Sequence, residues 1–230
     1  MTKTETTLSQ EAEEYIETIY KLQKRNGIAK TKELAETMHV VPGSITNTVE
    51  HLESHGLVTH EPYRGVKLTR EGEKIALDIV RKHRLAERLL TDVLKAEWST
   101  VHDDACKLEH ALTKNLTDLL DERLGHPKFC PHGNPIPTEN GFIEEQPCIA
   151  LTEANLGESY VVDRIIDEEH ANLQLLSEKK IKPEAKVQVA KRDAQYLILR
   201  VEGKQHRLSS GLAANVLLRK TGRNIHAVET

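Results

Sequence analysis

The segment VHDDACKLEHAL at residues 101–112 carries four side chains of types that bind metal ions. His102, Cys106, Glu109 and His110 are spaced i, i+4, i+7 and i+8. An α-helix with 3.6 residues per turn stacks residues at this spacing in a stripe along one face. Imidazole, thiolate and carboxylate groups are all ligands of divalent metals.

An apolar stripe runs beside these four residues and consists of Val101, Ala105, Leu108 and Leu112. The ligand types therefore lie at the edge of a buried seam, where helical bundles build their metal sites. The preceding segment adds His83 and Glu87, an i, i+4 pair. Each residue alone has an ordinary explanation, as a hydrogen-bonded histidine or a small core cysteine. Their combination predicts a metal site.

Composition indicates a folded protein of one to three small domains. The chain has 230 residues, of which 38% are hydrophobic and 30% charged. No apolar run of about 18 residues and no apolar leader core occur, so we expect a cytoplasmic protein without a membrane span. Three cysteines without a CxxC pair argue against a disulfide framework. The net charge of −4 gives no global attraction to nucleic acid, so contact with DNA would need a local basic patch.

The N-terminal region has the pattern of a winged helix-turn-helix. A first helix begins after the N-cap Ser9, a second begins at Thr31, and a third begins at Pro42. Two β-prone runs follow at 57–60 and 66–69, and a turn at Pro62 to Gly65 joins them. Three helices and a hairpin predict this DNA-binding fold.

The outer face of the third helix is small and polar, which suits a recognition helix in a major groove. Basic residues flank it and can meet phosphates, but acidic residues are interleaved with them, so we expect weak non-specific affinity. A dimer or a ligand would then be needed. The predicted DNA-contacting residues are Lys30, Thr31, Pro42, Ser44, Thr46, Asn47, Thr48 and Arg64.

The rest of the chain divides into a helical and a β-rich part. Residues 69–124 have a continuous helical pattern, and the Pro- and Gly-rich segment after Leu124 predicts a linker in which Cys130 and His132 are structural rather than ligands. From Cys148 onward, short alternating runs predict a small barrel of about five strands. The fold class is mainly α with a small β domain, with predicted domains at 1–74, 75–146 and 147–222.

Three segments carry a family resemblance. RKHRLAERLLTDVL, VHDDACKLEHAL and CPHGNPIP, together with the winged helix, resemble the diphtheria toxin repressor family of iron- and manganese-dependent transcription regulators. The resemblance covers nearly the whole chain. It implies a winged helix-turn-helix, a helical metal-binding and dimerisation domain and a C-terminal SH3-like barrel. It also implies a cytoplasmic homodimer that binds a palindromic operator in double-stranded DNA and has no enzyme activity.

The resemblance implies two metal sites and one anion site. The primary metal site comprises Glu14, Cys106, Glu109 and His110. The ancillary metal site comprises His83, Glu87 and His102, and the segment DEEHANLQLL offers Glu168, Glu169 and His170 to complete it. Arg84 and Asn134 match positions around a bound anion.

Two departures from the family pattern bear on the metal. Iron-type members have Met at the position of Glu14, whereas manganese-type members have a carboxylate there and a glutamate at the position of Cys106. The thiolate of Cys106 favours iron, cobalt, nickel or zinc, and Glu14, with Glu17 as an extra ligand, favours harder cations. We expect Fe(II), with Mn(II) as the alternative and Co(II), Ni(II) or Zn(II) as substitutes in vitro.

Two other functions are compatible with a helical metal site. A metalloenzyme would need an open coordination position and a general base, but the sequence contains no HExxH, GxSxG or Gly-rich phosphate loop. A metal-storage protein would leave the winged helix unexplained. Metal-dependent binding to DNA distinguishes a repressor from both.

Overall fold

A computed structural model describes residues 8–61 and 63–221 of the chain. It divides into two compact units that interleave along the sequence. The first unit comprises the residues up to His83, Glu109–Thr113 and Pro137–Phe142, and the second comprises the remainder. The division into domains at 1–74, 75–146 and 147–222 stays a prediction.

The first unit contains the winged helix-turn-helix in the order that the sequence predicts. Its hairpin is antiparallel and pairs Val58 with Leu68; Pro62 of the expected turn lies outside the described residues. The elements are α1 (Gln10–Asn26), α2 (Thr31–Thr37), α3 (Pro42–Ser54), β1 (Val58–Glu61), β2 (Gly65–Leu68) and the first part of α4 (Arg70–Arg88).

Local chemistry sets the ends of these helices. Ser9 Oγ accepts a hydrogen bond from the Ala12 amide at 3.2 Å, which confirms the predicted N-cap of α1. Gly27 ends α1 in the left-handed region with φ 77°, where glycine is favoured. Pro42 occupies the first turn of α3, where its missing N–H costs no helical hydrogen bond.

The buried face of α3 lies in an apolar core that also contains residues of α1. Ile16 and Ile19 of α1 are fully buried in the same cluster as Ile45 and Leu52 of α3. The opposite face of α3 is exposed, as the sequence predicts. The helix α3 therefore shares one core with α1, while its main packing partners are α2 and β1.

The continuous helix predicted for residues 69–124 is wrong. A π-helical turn at Leu89–Val93 follows α4, and regular helix resumes only at α5 (Val101–Glu109) and α6 (Lys114–Arg123). Lys95 adopts φ 61°, which an α-helix cannot accommodate. The non-helical segment brings Trp98 against the core of the β domain. His110 lies one residue beyond the end of α5.

The β domain of the second unit has six strands rather than about five. They form one antiparallel sheet in the order β3-β8-β4-β5-β6-β7, and Leu197 and Leu199 of β6 are buried in its core. The elements are β3 (Ile149–Ala150), β4 (Ser159–Ile165), α7 (His170–Glu178), β5 (Lys186–Arg192), β6 (Tyr196–Val201), β7 (Lys204–Ser209), α8 (Ser210–Ala213) and β8 (Val216–Lys220). None of the described helices combines the length and the apolar content that a membrane span needs.

The expected linker after Leu124 is instead partly buried structure. Residues 132–137 are buried, and Phe129 and Pro135 form an antiparallel bridge. Gly133 has φ 85°, and a Cβ there would lie 2.2 Å from the Asp163 carbonyl oxygen. Only glycine lets this loop approach β4 so closely, and the approach brings His132 into the interior.

A close backbone contact at the start of α4 gives a stability prediction. A Cβ on Gly72 would lie 2.0 Å from the Leu57 carbonyl oxygen, whereas a Cβ on Gly43 in α3 meets nothing within 4 Å. We expect Gly72→Ala to lower the free energy of unfolding by about 1–3 kcal/mol, and Gly43→Ala to raise it by up to about 1 kcal/mol through helix propensity. Urea denaturation followed by circular dichroism measures both. Equal stability of the two variants would contradict this packing.

Candidate metal centres

A buried carboxylate–imidazole group, the first group, lies in the first unit. It comprises Glu17 of α1, His83 of α4 and Glu109 of α5, each with a ligand atom within 4.8 Å of the others. His83 Nδ1 lies 2.5 Å from Glu109 Oε2. Three helices thus converge on one buried point.

The electrostatics of the first group fit a cation. Burial raises the pKa of the Glu109 carboxyl, and the nearby charge of Glu17 raises it further, whereas the hydrogen bond from His83 lowers it. Lys21 Nζ lies 3.0 Å from Glu17 Oε1, so two buried carboxylates share one ammonium and one imidazole, and burying negative charge is costly unless it is compensated. A divalent cation would add positive charge and bind the carboxylates directly.

His110 and Glu14 lie beside the first group. His110 Nε2 is 3.4 Å from Glu109 Oε1 and 3.8 Å from Glu14 Oε1. The structure therefore brings together Glu14, Glu109 and His110, three of the residues expected at the primary site, and Glu17, the expected extra ligand. It also places His83, which the resemblance assigns to the ancillary site, against Glu109.

A second buried group lies in the second unit and combines carboxylates with an imidazole and a thiol. Its members are Glu87, Cys130, His132 and Glu168, whose ligand atoms lie within 4.8 Å of one another. His132 Nδ1 is 3.0 Å from Glu87 Oε1 and 3.4 Å from Glu168 Oε1. The other ring nitrogen of His132 is 2.8 Å from the Trp98 carbonyl oxygen, which fixes the ring.

His102 and Cys106 extend the second group. His102 Nδ1 lies 3.5 Å from Glu87 Oε1 and 3.4 Å from Glu168 Oε2, and its Nε2 lies 3.7 Å from Cys106 Sγ. Glu87, His102 and Glu168, all expected at the ancillary site, are therefore neighbours. The membership of Cys106 in the primary site stays a prediction.

Mutual charge compensation governs the second group. Burial alone lowers the pKa of His132, but the carboxylates of Glu87 and Glu168 outweigh it and raise the pKa above its usual value. Burial and Glu87 raise the pKa of Glu168, yet His132 and His102 lower it to about 2. Burial raises the pKa of the Cys130 thiol, with a further contribution from Glu87. The imidazolium of His132 therefore balances the carboxylates, and a bound cation would take its place.

Cys130 and His132, which the linker pattern predicts to be structural, lie in a group of side chains that could hold an ion; whether they are structural or ligands stays a prediction. The available signal was the pair of ligand types two residues apart in CPHG. His170, in contrast, is exposed, and its Nδ1 lies 3.2 Å from the Ser99 carbonyl oxygen. Among the described residues, His170 is in none of the groups that could hold an ion.

Arg84 and Asn134, the residues expected around an anion, make hydrogen bonds that anchor the buried loop at residues 132–137. Arg84 donates to the Pro135 carbonyl oxygen. Asn134 Nδ2 donates to the Ile165 carbonyl oxygen at 2.8 Å and to Glu168 Oε1 at 2.7 Å. These bonds fasten the loop to β4 and orient Glu168; anion binding stays a prediction.

The predicted DNA-contacting residues lie on the surface of the first unit. Arg64 Nη1 lies 2.8 Å from Glu61 Oε2, and Lys67 Nζ lies 3.0 Å from Glu61 Oε1. One carboxylate thus pairs with two cations of the hairpin. Lys30, Pro42, Ser44, Thr46, Asn47 and Arg64 are exposed, and Thr31 and Thr48 are half-buried.

Three family models match consecutive parts of the chain. Residues 7–66 match the iron dependent repressor N-terminal DNA binding domain. Residues 69–138 match the iron dependent repressor metal binding and dimerisation domain. Residues 149–220 match the FeoA domain, which agrees with the expected SH3-like fold.

Individual relatives agree with these models. The chain is similar to the diphtheria toxin repressor of Corynebacterium glutamicum, with 38% identity over 125 residues, 54% of this chain and 55% of the relative. It thus spans about half the length of the first curated relatives. The iron-dependent repressor IdeR of Mycobacterium leprae is 30% identical over 206 residues, 84% of this chain and 90% of the relative.

Solved structures have the same fold over most of the chain. A manganese-dependent transcriptional repressor in complex with manganese has a TM-score of 0.83 and 31% identity, covering 91% of this chain and 99% of the other. A repressor titled ScaR with bound Cd²⁺ has a TM-score of 0.81 at 28% identity and covers 91% of this chain and 99% of the other. The chain belongs to the iron-dependent repressor family, a family of metal-dependent, DNA-binding transcriptional regulators and not of enzymes.

Proposed function

We propose that this chain is a dimeric repressor that binds a palindromic operator when Fe(II) or Mn(II) occupies the first group. One observation carries the proposal. The buried group of Glu17, His83 and Glu109 lies in the same compact unit as the exposed polar face of α3. The helix α1 joins the two features, since it supplies Glu17 to the group and Ile16 and Ile19 to the core under α3.

In this arrangement, a bound ion would limit the movement of helices relative to one another. An ion held by Glu14 and Glu17 on one side, and by His83, Glu109 and His110 on the other, would restrain α1 relative to α4 and α5. Because α3 shares the core of α1 and packs against α2, which also contacts α1, its position would be restrained too. The free energy of metal binding then becomes free energy of the DNA-binding conformation.

We assign the second group an ancillary role. Its ligand types come from α4, α5, the 130–134 loop and the segment before α7, which are four separate parts of the second unit. A cation held there by Glu87, His132 and Glu168 would fasten the helical segments to the β domain. It would also displace the proton of the His132 imidazolium, so its affinity should increase with pH.

The ligand types of the two groups indicate which metal ion would activate the protein. The first group offers carboxylate and imidazole donors, which suit Mn(II) and Fe(II), and the thiols of Cys106 and Cys130 favour iron, cobalt, nickel or zinc. We propose Fe(II) as the physiological metal, with Mn(II) as the alternative. Co(II), Ni(II) and Zn(II) would serve as substitutes in vitro.

Exposed apolar side chains support dimerisation. Large exposed apolar residues mark interaction surfaces on soluble proteins, and a twofold dimer would present two copies of α3 to successive major grooves of a palindrome. Action on chromosomal DNA implies the cytoplasm. The apolar residues concerned, in or directly after helical segments of the second unit, are Val93, Leu94, Leu108, Leu116 and Leu119.

The coupling of metal to DNA is the first test. We expect Fe(II), kept anaerobic, or Mn(II) to raise affinity for a DNA site selected from a random pool at least tenfold, about 1.4 kcal/mol of coupling. Glu17→Gln should remove most of this increase, because it takes a charged ligand from the first group. Fluorescence anisotropy with labelled DNA measures the affinity.

The matched control is Glu71→Gln, which removes a carboxylate from the exposed first turn of α4. It should retain the full metal response. Equal DNA affinity with chelator and with saturating metal would refute the proposed function.

The roles of the thiols can be separated by Co(II) absorption. A thiolate ligand gives an intense near-ultraviolet charge-transfer band. We expect Cys130→Ala and Cys106→Ala each to reduce this band. If Cys106 also binds the activating ion, as the resemblance implies, Cys106→Ala should in addition abolish metal-dependent DNA binding. Cys148→Ala is the control, since Cys148 is in none of the described ion-binding groups.

Each outcome has a definite meaning. A band that survives in Cys130→Ala at full strength would remove Cys130 from the second group. Normal metal-dependent DNA binding in Cys106→Ala would remove Cys106 from the activating site.

The Glu61 pairing predicts the salt dependence of DNA binding. Its carboxylate holds Arg64 and Lys67, so Glu61→Gln should release both cations for phosphate contacts. We expect non-specific affinity at low salt to increase several-fold, and the slope of log affinity against log salt to steepen by about 1 to 2 units. Anisotropy titrations with random-sequence duplex measure both. Glu122→Gln, an exposed substitution on α6 of the second unit, is the comparison for a mere change in net charge, and identical slopes in the two variants would exclude the role of Glu61.

A further inference from the structure

Glu13 makes the closest polar contact of His110. Its Oε2 lies 2.7 Å from His110 Nδ1, whereas Glu14 and Glu109 lie 3.8 Å and 3.4 Å from Nε2. The two ring nitrogens therefore have different neighbours. The sequence and its resemblance assign ligand roles to Glu14 and His110 and none to Glu13.

The hydrogen bond determines which nitrogen can bind an ion. A carboxylate accepts, so His110 Nδ1 must donate, and in the neutral ring the lone pair is then on Nε2. Nε2 is the nitrogen next to Glu109 of the first group. A carboxylate bonded to the far nitrogen of a ligating histidine fixes the ring orientation and increases the basicity of the binding nitrogen.

We propose that Glu13 is a positioning residue for His110 and not a ligand. It holds the Nδ1–H tautomer and aims Nε2 at the first group before any ion arrives. The contact joins residues 97 positions apart, so it also ties the first turn of α1 to the end of α5. This inference rests on the proposed function only for its effect on metal affinity.

A simpler explanation is that Glu13 stabilises α1 as an acidic residue in its first turn. Glu11 occupies the same first turn and is exposed. Both carboxylates lie in the first turn of α1, where the helix dipole favours negative charge. Glu11→Ala is therefore a matched control, because it loses the dipole interaction without touching His110.

The first experiment needs no metal. Nitrogen-15 NMR of the imidazole in metal-free protein reports the tautomer of His110. We expect Nδ1–H in the wild type, in Glu11→Ala and in Glu13→Gln, whose side-chain oxygen still accepts the bond. Glu13→Ala should give the mixture of tautomers typical of an exposed histidine. An unchanged tautomer in Glu13→Ala would overturn the inference, whether or not the protein binds metal.

The second experiment measures Mn(II) affinity by calorimetry. We expect Glu13→Ala to weaken binding about 10- to 100-fold, the usual effect of losing such a partner. Glu13→Gln should recover part of the loss, and Glu11→Ala should match the wild type. Equal affinity in Glu13→Ala and wild type would overturn the metal-positioning role.

Co(II) absorption separates positioning from ligation. A saturating concentration of Co(II) should give Glu13→Ala the visible spectrum of the wild type, because the ligand set is the same. A changed spectrum would make Glu13 a ligand and overturn the inference. A wild type that binds neither ion would refute the proposed function, while the metal-free NMR result would still decide whether Glu13 fixes the ring.

Discussion

The burial of several carboxylates in two small groups of side chains is the constraint on which the structure depends. Glu109 is 2% exposed and Glu87 is 0% exposed, and each lies within a group that contains a further carboxylate. Such an arrangement is tolerated only when something positive compensates it. In the second group the His132 imidazolium has this role. A divalent cation brings twice the charge of a proton and several coordination bonds, so both groups are poised to exchange protons for metal.

Under the proposed function, the helix α1 would connect metal binding to DNA binding. In α1, Glu14 and Glu17 lie near the ligand groups of α4 and α5, while Ile16 and Ile19 pack in the core that supports α3. A helix with two such faces cannot shift at one without disturbing the other, because close-packed cores resist partial displacement. The winged helix therefore needs no ligand of its own on its DNA-binding face to respond to an ion.

Sequence periodicity predicts the local features well and the long-range groupings poorly. The Ser9 cap, the start of α3 at Pro42 and the stripe on α5 follow from spacing alone. Periodicity cannot say which partner His83 finds, because that depends on three helices meeting in space. Cys130 and His132 lie in an aperiodic loop whose burial rests on the approach of Gly133 to β4, and no local pattern encodes that contact.

The two groups also differ in the softness of their ligands, and this difference affects which metal ions each group would bind. Affinity for divalent ions follows much the same order at most nitrogen and oxygen sites, so selectivity comes from ligand type and geometry. The first group is built from carboxylates and imidazoles and belongs to the unit with α3, whereas the second includes the Cys130 thiol. A softer ion that prefers thiolate would thus be drawn to the second group first. Occupation of the first group would then depend on ions that accept a site of carboxylates and imidazoles, as Mn(II) and Fe(II) do. Under the proposed function, the mixed ligand pattern would separate structural fastening from the DNA-binding response.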